Sequence, residues 1–244
     1  MVTLKTPDIK VVIKEAIGGD PSLQESLIKL HKEFFPQYDQ YLPYMEKRLL
    51  LPPIDGYGNI EHWWVLEYDK QPVGFIMFKY VPRRDCSLGL LIAVKPAFRR
   101  LSVGQAKTLA DYLIKASLEQ LRQDALSVGR SIPVGMVVEV ETGRLLQVYR
   151  DYGFIEIPVD YCSPPYIQGE ISFENREELD KLEYLKSILG IFPLEEAHAD
   201  LSDPKLISKL VLAFLVDHYH LPEDHSAVCR ILESIHRTED LRPI

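Results

Sequence analysis

Hydrophobic positions change period several times along this chain, and each change marks an element. "DIKVVIKEAI" (residues 8–17) reads as a first strand, and "PSLQESLIKLHKEFFPQYDQYLPYMEKRLL" (21–50) carries helical spacing interrupted at Pro36 and Pro43. "HWWVLEY" (62–68) and "PVGFIMFKY" (72–80) predict two strands joined by a short turn. Then come a strand "SLGLLIAV" (87–94), an amphipathic helix from Ser102 to 124, and a strand "GMVVEVE" (135–141). A helix "GRLLQVYRDY" (143–152) and a strand "FIEIPVDY" (154–161) complete the alternation, which predicts an α/β fold. Further on, "NREELDKLEYLKSILG" (175–190) has a capping asparagine, Glu178 three residues later and Gly190 as a stop, all of which suit a helix. "DPKLISKLVLAFLVDHYH" (203–220) and "DHSAVCRILESIHR" (224–237) read as two more amphipathic helices.

Composition adds exclusions. The 244 residues are 46% hydrophobic and 26% charged, ordinary for a soluble globular protein. No apolar run reaches the ~18 residues of a membrane span and the N-terminus lacks a signal-peptide core, so a cytoplasmic protein without a membrane partner is expected. Cys86, Cys162 and Cys229 are scattered singletons without metal-ligand spacing, which predicts reduced thiols and no metal centre.

Charge changes the picture more. The net charge is −8, and residues 174–244 alone hold 15 acidic and 8 basic side chains. Against that acidity, residues 79–107 contain Lys79, Arg83, Arg84, Lys95, Arg99, Arg100 and Lys107 with a single acid, Asp85. One basic stretch at a strand-to-helix turn suits a small anionic ligand; nucleic-acid binders spread positive charge over a whole face. A helix N-terminus carries unpaired N–H groups and partial positive charge. Ser102 has the chemistry of an N-cap, Gly104 permits close backbone approach, and Ala106, Leu109, Leu113 and Ala116 would seat the helix behind. Neither the P-loop nor the G-x-G-x-x-G pattern occurs.

"VKPAFRRLSVGQA" resembles the acyl-CoA signature of the GNAT superfamily of N-acyltransferases, with Val94, Pro96, Arg99 and Gly104 at matching positions and Ser102 where the first signature glycine usually stands. "VYRDYGF" is similar to the Tyr-x-x-x-Gly-Phe that closes the acyl-CoA half of that fold, giving Tyr149, Gly153 and Phe154. The resemblance implies a central mixed, mostly antiparallel sheet flanked by helices, covering residues 1–193, with an acidic helical extension over 194–244. It also implies a final strand, for which "YLKSILGIF" (184–192) is the best location. By the same resemblance, acetyl-CoA or another acyl-CoA is the co-substrate. Ile92, Ala93 and Val94 would pair with its pantetheine arm, and Arg99, Arg100, Leu101, Ser102, Val103, Gly104 and Gln105 would hold its pyrophosphate. A small-molecule or peptide amine would attack the thioester directly, and Tyr149 would protonate the departing sulfur, with Tyr152 as its competitor. A sensor that binds acyl-CoA without transfer is the alternative.

For a base, Glu139 and Glu141 stand out: residues i and i+2 of a strand share a face, and neighbouring like charges raise a carboxyl's pKa. Glu141 lies nearer the strand end; both could instead face solvent or pair with Arg144. Phe34, Phe35, Tyr38, Tyr41 and Tyr44 could line an acceptor pocket or simply pack in the core. "DHYHLPEDH" gathers His218, His220 and His225, a set that fits packing or homodimer formation better than a metal, because it straddles a helix end and Pro222.

Overall fold

A computed structural model describes residues 11–140, 143–164, 179, 181–197 and 200–239. Within the first expected strand, β1 is Val11–Glu15; α1 (Pro21–Phe34), a 3₁₀ turn (Pro36–Tyr41) and α2 (Leu42–Leu49) follow, broken at the two prolines. Strands β2 (Ile60–Tyr68), β3 (Gln71–Val81) and β4 (Cys86–Val94) lead to helix α3 (Leu109–Ser127). Then come β5 (Gly135–Val140), α4 (Arg144–Asp151), β6 (Ile155–Glu156), β7 (Cys162–Ser163), β8 (Leu185–Lys186), β9 (Ile188–Pro193), α5 (Pro204–Leu215) and α6 (Ser226–Glu239). A seven-stranded mixed sheet runs in the order β1-β2-β3-β4-β5-β9-β6, and β7 pairs with β8 in a small ribbon. This is the α/β architecture expected. The stretch around 184–192 is strand; Asn175 and Glu178, which favoured a helix, lie outside the described residues.

Two compact units divide the chain, one of residues 1–55, 61–78 and 91–116, the other of 56–60, 79–90 and 117–244. In the first, β1 pairs antiparallel with β2 in the register Val11↔Tyr68 to Glu15↔Trp64. Helix α1 starts where the Asp20 carboxylate accepts from the Ser22 N–H at 2.8 Å and Pro21 fills the first helical position; Leu23, Leu27, Leu30 and His31 are its buried face. The Arg48 guanidinium donates to Glu61 at 2.5 Å and to the carbonyls of Pro52 and Pro53 at 2.7 and 3.0 Å, which ties the segment after α2 to β2. Trp63 and Trp64 are both buried, although strand alternation sends them to opposite faces.

In the second unit, β5 pairs antiparallel with β9 from Gly135↔Pro193 to Val140↔Ile188. Gly190 has to be glycine, because a Cβ there would stand 2.0 Å from the Phe154 ring. Val137, Leu189 and Ile191 share one core with Ile207, Leu210, Val211 and Phe214 of α5 and with Val228, Ile231 and Ile235 of α6. The tail helices are therefore apolar on one side because they cover strands. Strand β6 is far shorter than its sequence run, since Pro158 lacks the N–H a ladder needs.

Candidate active site

The basic turn is an irregular loop rather than a helix start. After β4, the Lys95 N–H donates to the Val73 carbonyl at 2.7 Å, and Pro96–Phe98 make one 3₁₀ turn. Val103 and Ala106 then exchange backbone hydrogen bonds of 3.3 and 2.9 Å around Gly104, whose φ is +56° and whose missing Cβ would meet no heavy atom within 4 Å. The sequence predicts a helix from Ser102; α3 instead begins at Leu109, and Ser102 is an exposed loop residue. The reason is a capping arrangement downstream. Thr108 Oγ1 accepts from the Asp111 N–H at 3.1 Å, while the Asp111 carboxylate reaches back to the Lys107 N–H at 2.6 Å and to Lys115 Nζ at 3.0 Å. The positive end of α3 thus faces the chain's own carboxylate.

Within that loop the N–H groups divide. Those of Arg99, Leu101 and Val103 turn inward to the carbonyls of Pro96, Phe98 and Ala106, and Arg99 Nε donates to the Val94 carbonyl at 2.9 Å. Those of Arg100, Ser102, Gly104 and Gln105 have no hydrogen-bond partner among the described residues, and all four residues are exposed. Ile92 and Ala93 are half-buried and Val94 is buried; the parallel ladder of β4 with β5 covers Ser87–Gly89, before those residues.

Glu139 has a different setting. It shares its strand face with Val137, a core residue, so a carboxyl stands on an otherwise apolar surface. One oxygen accepts from the Tyr161 hydroxyl and the other from the Tyr219 hydroxyl, the latter at 2.5 Å. Burial pushes the carboxyl pKa up from 4.5 to about 7, against the pull of both phenol hydrogen bonds. Neither tyrosine was marked by the sequence pattern. Glu141, the other expected carboxylate, lies outside the described residues. Because the folded state keeps the Glu139 proton where the unfolded chain has released it, this group stabilises the fold fully below about 4.5. That contribution is lost as pH rises through about 7. Melting curves of wild type and Glu139→Gln are expected to converge below pH ~4.5, to separate in favour of the variant as pH rises from there, and to keep a constant gap above pH ~7.5.

Tyr149 is buried against Phe154 and Phe192, at ring distances of 6.1 and 5.6 Å, and burial pushes its phenol up to about 12. The Tyr-x-x-x-Gly-Phe run is itself a helix stop. The Phe154 N–H donates to the Tyr149 carbonyl and the Gly153 N–H to that of Arg150, each at 3.0 Å, with Gly153 at φ +95°. That is the paired closure of a helix C-terminus, including the apolar contact between its first and last members.

The other expected sites disperse. Phe35 packs on Tyr38 and Phe75, whereas Tyr41 and Tyr44 are 43% and 56% exposed, so the aromatic run is not one stripe. His218 is half-buried near Lys79, desolvation holds its pKa well below 6.5, and no group of three or more His, Cys, Asp or Glu among the described residues is placed to hold a metal. All three cysteines are free thiols. No described helix is long and apolar enough to cross a membrane.

Residues 24–130, running from α1 past the end of α3, match the acetyltransferase (GNAT) family. No curated protein matches the sequence. Among solved structures, a protein described as a GNAT-family acetyltransferase from Bacteroides thetaiotaomicron is 21% identical, with a TM-score of 0.52 over 84% of this chain and 97% of that one. A GNAT-family protein from Desulfovibrio desulfuricans is 15% identical, with a TM-score of 0.47 over 75% of this chain and 99% of that one. The Arabidopsis thaliana NAA60 structure, in complex with acetyl-CoA, is 13% identical, with a TM-score of 0.46 over 76% of this chain and 100% of that one. The first of these similarities shows a shared fold, and the matched segment contains β4, the loop and α3. Residues 24–130 thus carry the match to the GNAT family of acetyltransferases, a family of transferases, and the rest of the chain lies outside that match.

Proposed function

We propose that this protein transfers an acetyl group from acetyl-CoA to a primary amine of a small molecule or peptide, the amine attacking the thioester directly. The observation that carries the reading is the loop after β4. The N–H groups of Arg100, Ser102, Gly104 and Gln105 have no hydrogen-bond partner among the described residues, a Cβ at Gly104 would meet no heavy atom within 4 Å, and Arg100 adds charge. That set fits a diphosphate, and the β4 backbone at Ile92–Val94 fits an extended arm that pairs by amide hydrogen bonds. Bound acetyl-CoA would supply the activated acyl group. Glu139 takes the ammonium proton, because a carboxyl titrating at about 7 is ionised in half the molecules at neutral pH and still holds a proton firmly. Tyr149 donates toward the departing sulfur.

The test begins with binding. Thermal shifts with CoA, acetyl-CoA, longer acyl-CoAs and NAD are expected to stabilise with the CoA compounds alone. In Gly104→Val the CoA-induced shift should be lost, whereas Ser102→Gly, at an exposed loop position, should leave CoA affinity within a few-fold. Gly104→Ala gives the backbone cost at positive φ separately, ~1 kcal/mol or more. Unchanged CoA affinity in Gly104→Val would refute the loop assignment. Tight acetyl-CoA binding with no release of free CoA across a broad amine panel would make the protein a sensor instead of an enzyme.

A further inference from the structure

Tyr219 comes from the turn after α5, 80 residues from its partner Glu139, and it is held more firmly than packing alone requires. The Asp217 carboxylate, two residues before it, pairs with Arg83 and with Arg84 Nε, the latter at 2.7 Å, and the Asp217 carbonyl accepts from Lys79 Nζ at 3.2 Å. The Tyr219 N–H donates to the Phe214 carbonyl at 2.9 Å, the His218 ring lies 4.8 Å from the Tyr219 ring, and His220 reverses the chain at φ +57°. Three cations on β3 and the turn that follows it thus fix one short segment of the tail, and that segment delivers a hydroxyl to one oxygen of Glu139. Tyr161, 1% exposed, covers the other oxygen.

We propose that Tyr219 is a positioning residue for the acyl-transfer base: the C-terminal segment completes the site by aiming the Glu139 carboxyl and setting how tightly it holds a proton. This rests on the reading of Glu139 as the base. An ionised carboxylate has about four lone-pair directions, so two phenol donors leave others open to an ammonium or a water. Both phenols stabilise the ionised form, which offsets part of the burial that favours the protonated one. The groups facing the carboxyl are Tyr161 and Tyr219; Cys162 acts on Tyr161, the rings of Phe214 and His218 lie against that of Tyr219, Lys79 and His220 act on His218, and Lys79 also holds the Asp217 carbonyl. Desolvation holds the half-buried His218 well below the usual imidazole range, which favours its neutral form. A tail that served packing alone would need the Tyr219 ring and make no use of its hydroxyl.

The experiment titrates Glu139 directly, by carboxyl-carbon NMR of the labelled full-length protein, with the resonance identified by its absence in Glu139→Gln. Loss of one hydrogen bond to a charged group in Tyr219→Phe should raise the Glu139 midpoint by about one pH unit. In 3-fluorotyrosine at position 219 the hydroxyl is a stronger donor of the same shape, so the midpoint should fall; this second variant reads the coupling even where the phenylalanine form folds poorly. The acid limb of kcat/KM, measured with acetyl-CoA and the amine best accepted in the panel, should follow. Tyr219→Phe should be about tenfold slower at pH 6 and little changed at pH 9. A midpoint that moves in neither variant overturns the proposal. A midpoint that moves while the acid limb stays in place shows that Glu139 is not the base, which overturns the catalytic role of both residues.

Discussion

Replacing Glu139 by glutamine is expected to lower kcat/KM for acyl transfer by ~10²- to 10⁴-fold, with the CoA-induced thermal shift intact. Glutamine keeps the shape of the side chain. Its carbonyl can still accept from one of Tyr161 and Tyr219, and the other hydroxyl can rotate to accept from the amide, so the core on this strand face keeps its partners. What disappears is a site that accepts a proton near neutrality. The wild-type acid limb should have its midpoint at about 7, and the residual activity of the variant should show no limb there. Steady-state release of free CoA, followed from pH 5.5 to 9, measures both. Activity within twofold of wild type would remove Glu139 from the chemistry and direct the search to Glu141.

How much of this was legible in the sequence depends on whether the determining contact is local. Strand alternation and the two prolines between α1 and α2 act over a few residues, so those elements follow from the pattern. The start of α3 was equally local, yet it was placed seven residues early. A serine with a following glycine looks like a cap, but the decisive signal is Thr108 followed three residues later by Asp111, whose N–H in the first turn of α3 is held by Thr108 while its carboxylate holds the Lys107 N–H just before the cap. Gly104 then belongs to a turn closed by Val103 and Ala106, and its left-handed φ explains the glycine without any helix.

Non-local contacts set the candidate base. Nothing near Glu139 in sequence announces Tyr161 or Tyr219, 22 and 80 residues away. The available hint was on β5 itself, where Val137 and Glu139 share a face: a carboxyl in an apolar row has to be exposed, paired or protonated. The tail gave a related hint. The histidines of this segment read as a packing or homodimer element in preference to a metal site. The segment is fixed by Arg83, Arg84 and Lys79, cations that the sequence assigned to a basic stretch facing a ligand. Part of that positive charge is therefore paired inside the protein, at Asp217, and does not face a ligand.

Removing the Tyr149 hydroxyl is expected to slow turnover by ~10- to 1000-fold while leaving acyl-CoA affinity and melting temperature nearly unchanged. The fold should tolerate Tyr149→Phe because the ring makes the contacts: it packs on Phe154 and Phe192, and the carbonyl that closes α4 belongs to the backbone. In the proposed reaction the hydroxyl acts where the CoA sulfur would leave as a thiolate. A free thiol titrates near ~8.5 and a free phenol near ~10, but burial has pushed Tyr149 up to about 12. The same desolvation raises the proton affinity of a thiolate forming beside it, which narrows the gap again. Donation from the hydroxyl then stabilises negative charge on sulfur as the carbon–sulfur bond breaks, and the phenol stays protonated over the whole working range. The pH profile should consequently show no alkaline limb from Tyr149 below pH ~10. Tyr152 is the control, since it is half-buried at the end of the same helix and its N–H donates to the Tyr149 carbonyl. Normal turnover in Tyr149→Phe together with a loss in Tyr152→Phe would move the acid to the second tyrosine. A loss that appears equally in CoA affinity would mean that the hydroxyl binds the ligand instead of assisting its departure.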